Sequence, residues 1–185
     1  MRANSHQILA ERLGKTYHVS PLRFKLQRLA QSYPISRASG LEEWMVAVAN
    51  HRGYRVVVRN TQDLTVTPLP EETVLTNEEL AVGFCQLQCQ DVPQILRLAA
   101  QMISRGRLDL QKFFLIGKRE RVEPVVAELA RLALKVDPEH PIWTRIHDQY
   151  HEEPILREPL LHWSRLCAPA KPQGGYDPRQ WVLVS

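Results

Sequence analysis

Helix starts recur at short intervals beyond residue 75, and that rhythm limits what the chain can fold into. Thr76-Asn77-Glu78-Glu79 has the spacing of a capping box, in which a Thr side chain and a Glu three residues on satisfy each other's backbone donors. It predicts a helix to about Gln88. Asp91 is read as the cap of the next helix, running to Arg105 with Ile95, Leu96, Ala99, Met102 and Ile103 inward and Gly106 ending it. Asp109 precedes a short helix carrying Phe113 and Phe114, and Pro124 stands near the start of another holding Val125, Val126, Leu129 and Leu132. After the turn Asp137-Pro138-Glu139-His140-Pro141, Ile142, Trp143, Ile146 and Tyr150 mark one more, and a last helix is expected over 158–166. Connections this short favour antiparallel neighbours, so residues 71–167 read as an all-helical bundle. No repeat of solenoid period is found.

The segment before it, residues 1–70, reads as three short helices and a β-hairpin. The first covers about residues 5–15. The second opens on Ser20 as N-cap with Pro21 at the first helical position, and carries Leu22, Leu26, Leu29 and Tyr33 at helical spacing until Pro34. The third starts at Ser39-Gly40-Leu41-Glu42, has an apolar stripe of Leu41, Trp44, Met45 and Val48, and stops at Gly53. Residues 54–59 and 64–67 alternate as strands around the turn Asn60-Thr61-Gln62-Asp63. Three helices and a hairpin loosely resemble a winged helix-turn-helix module, which would place a helix in the major groove of DNA. Glu42 and Glu43 stand in the first turn of the third helix and would face phosphates badly, so the second helix or the hairpin is the better candidate contact. Residues 168–185 comprise a Pro/Gly-rich linker and an apolar, strand-like tail, Trp181, Val182, Leu183 and Val184, which needs a sheet edge or an apolar surface to dock on.

Charge sharpens the contrast between the two main segments. Residues 1–70 hold ten Lys/Arg against four Asp/Glu, a net +6, whereas residues 71–185 hold fourteen against sixteen, a net −2. An asymmetry of this kind points to an anionic partner for the basic part. Arg23, Lys25, Arg28, Arg37, Arg52, Arg55 and Arg59 are the candidate phosphate contacts. Lys118-Arg119-Glu120-Arg121 is a further charge cluster, read as a partner-facing corner or a phosphate contact, with solvated helix ends as the plainer reading.

Signatures of chemistry are weaker. Neither a GxSxG elbow nor a Gly-rich phosphate loop occurs. His147 and His151 lie one helical turn apart, with His140 or Glu152 as a third ligand at metal spacing, but the glutamate of an HExxH pattern is missing and an exposed polar face is the plainer reading. Cys85 and Cys89 read as small buried residues; three cysteines make no disulfide framework. No apolar stretch is long enough to cross a bilayer, and the first residues lack an apolar signal-peptide core. The expectation is a cytoplasmic protein without metal or cofactor and without a membrane partner.

Two functions follow. In the first, a non-enzymatic nucleic-acid-binding regulator or accessory subunit contacts phosphates through the basic segment, while its helical part binds a protein or a second copy of itself. In the second, the chain is an interaction subunit only, anchored through Trp181, Val182, Leu183 and Val184. An antitoxin-like or defence-associated role would combine the two.

Overall fold

The computed structural model describes residues 20–32, 41–54, 75–86, 92–105, 107–156 and 166. These form seven helices: α1 (Pro21–Ser32), α2 (Leu41–His51), α3 (Asn77–Phe84), α4 (Pro93–Ser104), α5 (Leu110–Glu120), α6 (Glu123–Leu134) and α7 (Pro141–Tyr150). No strand occurs among the described residues. The first helix, the hairpin from residue 55 on, nearly all of the last helix and the tail of the sequence reading lie outside them.

Local chemistry sets the boundaries. Ser20 Oγ accepts the Arg23 N–H at 3.1 Å ahead of Pro21, and so caps α1. At Thr76 both halves of the capping box form: Thr76 Oγ1 accepts the Glu79 N–H, and Glu79 Oε2 accepts the Thr76 N–H. The Asp109 carboxylate accepts the N–H groups of Gln111 and Lys112 at the head of α5. At the end of α2, Gly53 takes φ +85°, and the N–H groups of Gly53 and Tyr54 donate to the carbonyls of Asn50 and Ala49. This is a Schellman closure, and it folds Tyr54 back into the core.

Two expected boundaries shift. α4 begins on Pro93 with Val92 as its N-cap, one residue after the cap read at Asp91. A proline prefers the first helical position, where its missing N–H costs nothing, and so sets the start. α3 stops at Phe84 and not near Gln88: the N–H groups of Cys85 and Gln86 close a tight last turn on Val82 and Gly83, and the Gln86 side chain is turned toward α5.

α3 is the hub. Six of its eight residues are buried, including Leu80, Val82 and Phe84, as expected of a helix covered on most sides. Its ends fix the direction of its neighbours. Glu78 in its first turn accepts the N–H of Asp109 at the head of α5, while Gln86 just beyond its last turn reaches Glu120 at the foot of α5, so α3 and α5 run parallel. α4 returns the chain between them. α2 runs antiparallel to α3: Arg52 at its end meets Leu75 and Asn77, and Met45 in its middle packs on Gly83. Arg105, after α4, donates to the Gly53 carbonyl at 2.7 Å and lies over the Tyr54 ring at 5.3 Å, which pins the ends of α2 and α4 together. One continuous core runs from Leu22 and Met45 through α3 and α4 to Trp143, Ile146 and Leu166.

α6 and α7 pair as a helical hairpin about a short turn. Tyr150, in the last turn of α7, packs edge-on against Phe114 of α5 with ring centroids 5.4 Å apart. Burial pushes its phenol up to about 12, with the nearby carboxylates of Glu123 and Glu153 adding to the shift. The native state therefore holds this proton more tightly than the unfolded chain does. Stability on this account is complete below pH 10 and falls as pH rises toward about 12. Tyr150→Phe is expected to flatten the alkaline limb of a urea-unfolding series between these values. The flattening will be partial, since burial also raises the Tyr54 phenol, against the opposing pull of Arg107, Arg105 and Arg52. An unchanged alkaline limb in the variant would show that Tyr150 does not control it.

Candidate nucleic-acid interface

α1 shows two faces. Leu22, Leu26 and Leu29 recur at helical spacing and are buried, which turns Arg23, Phe24, Gln27 and Arg28 to the outside. The helix contains no acidic residue. Phe24 is 54% exposed; Leu115 and Ile155 are large hydrophobics exposed elsewhere on the surface.

The seven candidate phosphate contacts meet different fates. Lys25 Nζ lies 2.7 Å from Glu79 Oε2, the same carboxylate oxygen that completes the cap of α3. Arg52 donates from both terminal nitrogens, to Asn77 Oδ1 at 2.9 Å and to the Leu75 carbonyl at 2.6 Å. These two cations fasten α1 and α2 to the first turn of α3. Arg23 lies 3.8 Å from Glu120 Oε2 yet keeps 55% of its side chain exposed, and Arg28 is exposed. Arg37, Arg55 and Arg59 lie outside the described residues, as do Trp181, Val182, Leu183 and Val184. Of the seven, Arg23 and Arg28 are thus the exposed cations among the described residues, and they point about 140° apart around α1.

The cluster at residues 118–121 divides in an informative way. Glu120 is 4% exposed and accepts hydrogen bonds from Ser20 Oγ at 2.6 Å and from Gln86 Nε2 at 3.0 Å. Lys118, Arg119 and Arg121 are all exposed. Phe113, Gly117 and Glu120 fall at spacings of four and three, so the sequence did hold a signal for Glu120 facing inward. α5 ends on Arg121 in the left-handed region, φ 57° and ψ 44°, a conformation that long side chains seldom adopt.

Other candidates do not assemble. Among the described residues, no three His, Cys, Asp or Glu side chains are grouped as metal ligands. His140 is buried beside Trp143, with ring centroids 6.5 Å apart, whereas His151 lies on the surface, its Nδ1 2.8 Å from the Asp148 carbonyl. Cys85 is buried and reduced; Cys89 and Cys167 lie outside the described residues. Burial works against ionisation of Glu78, but the Asp109 N–H, its own N–H, the Thr76 hydroxyl and Lys112 outweigh that effect and hold its carboxyl below the usual range. Its place between the heads of α3 and α5 explains this shift without a ligand. No helix among the described residues is long and apolar enough to cross a membrane. Comparison with protein-family models, curated proteins and solved structures finds no match.

Proposed function

We propose that this protein is a non-enzymatic nucleic-acid-binding accessory or regulatory protein that contacts the phosphate backbone through the outward face of α1. One observation carries the reading: Arg23 and Arg28 flank an exposed Phe24 on a helix without acidic residues, in the segment that holds the chain's basic excess. Guanidinium groups on such a face neutralise phosphates and release counterions, while an exposed ring offers a surface on which an unpaired base can stack. Arg37, Arg55 and Arg59 would extend the contact. Lys25 and Arg52 hold helices together in this reading and add little to binding directly.

The test is fluorescence anisotropy with labelled duplex DNA, duplex RNA and single strands at low salt. Binding is expected to weaken steeply as salt rises, and Arg23→Ala with Arg28→Ala to weaken it about tenfold or more at low salt. No binding to any of these probes at low salt would overturn the proposal and leave a protein-binding role as the better reading.

A further inference from the structure

Resting on that reading, we infer that the nucleic-acid-contacting surface has a second arm: Lys118, Arg119 and Arg121 at the foot of α5 continue the basic face of α1 and bind the same phosphodiester backbone. Three observations support this. The first is juxtaposition. Ser20 Oγ donates to Glu120 at 2.6 Å and the Arg23 guanidinium stands 3.8 Å from the same carboxylate, so the head of α1 rests on the foot of α5. Arg119 and Arg121 are the immediate chain neighbours of Glu120, so their backbone lies beside the head of α1, about a hundred positions away in sequence.

The second is the sign of that corner. The one acid in the run is withdrawn into the interior, where Ser20 and Gln86 hydrogen-bond to it. What faces outward is cationic, and no described carboxylate pairs with Lys118, Arg119 or Arg121. A net count over residues 71–185 conceals this, because it cancels exposed cations against carboxylates wherever they lie.

The third is that helix electrostatics explain only part of it. Lys118 and Arg119 in the last turn complement the negative end of the α5 dipole. Arg121 is the C-cap of α5, in a left-handed conformation where glycine or asparagine would sit with less strain. Nothing in the packing of α5 requires a long cation there.

The experiment compares the full chain with a triple variant, Lys118→Gln, Arg119→Gln and Arg121→Asn, the last chosen because asparagine tolerates left-handed backbone. Circular dichroism and thermal unfolding establish that both are folded. Anisotropy is read over a salt series with duplex DNA, duplex RNA and single-stranded probes of one length, and Arg23→Ala with Arg28→Ala is measured alongside. If all three cations contact phosphates, the triple variant should bind about tenfold to a hundredfold more weakly at low salt. The slope of log affinity against log salt on duplex DNA should flatten by about 2 to 3. The DNA and RNA arms identify which backbone is preferred. A triple variant with unchanged affinity and slope, beside an α1 variant that has lost binding, would overturn this inference and leave the α1 reading standing. A wild-type chain that binds none of the probes would overturn both.

Discussion

Trp143→Ala is expected to lower the unfolding free energy by about 3–5 kcal/mol, whereas Trp143→Phe should cost far less. Trp143 is fully buried, the largest such side chain described, and belongs to the core cluster on α7, a helix that packs on α6 and touches α4. Truncation to alanine removes most of its apolar surface and leaves a cavity that close-packed neighbours fill only in part. A domain has a net stability of only about 5–15 kcal/mol, so the alanine variant approaches the threshold for folding. The phenylalanine variant differs because the indole N–H is buried without an acceptor. The native state already bears the desolvation cost of that donor, and phenylalanine removes it along with part of the ring. Urea titration followed by far-UV circular dichroism separates the cases. Equal losses for the two variants would show that shape, not the orphaned donor, dominates at this site.

Glu120→Ala should cost about 2–4 kcal/mol, with the damage concentrated at α1. The carboxylate accepts from Ser20 and Gln86, and Gln86 is itself 2% exposed, so alanine removes one hydrogen-bond partner of a buried amide. Arg23 contributes little to this sum, because its side chain is more than half exposed and water screens the pair. Ser20→Ala should reproduce part of the loss, since that hydroxyl both caps α1 and donates to Glu120. Native-state hydrogen exchange gives the sharper readout: α1 amides should lose protection in Glu120→Ala while those of α6 and α7 keep theirs. Uniform loss across all helices would mean that Glu120 supports the whole fold and not the docking of α1.

The course of the helices was legible where a signal is local. Thr76 with Glu79, Asp109, Ser20 with Pro21, and Gly53 each act within a few residues of themselves, and each set a boundary as its chemistry dictates. Long-range partners were not legible. Lys25 and Arg52 look like surface cations in a list of charges, yet their partners Glu79 and Asn77 stand 54 and 25 residues further along. The same blindness applies in reverse at Glu120, whose immediate neighbours in sequence are charged while its hydrogen-bond donors in space are a serine and a glutamine. Charge counting therefore overstated the surface available on α1 and α2 and understated that on α5. Glu42, expected to oppose phosphates, is half-buried at the start of α2.

The position of α3 also bears on how the chain reaches its native state. Eight residues are too few to hold a helix in water unaided. α3 must therefore acquire its order from its neighbours, chiefly α4 and α5. The hydrogen bonds that tie α3 to α1, α2 and the foot of α5 span about 25 to 54 residues, and contacts of that separation slow folding relative to strictly local hairpins.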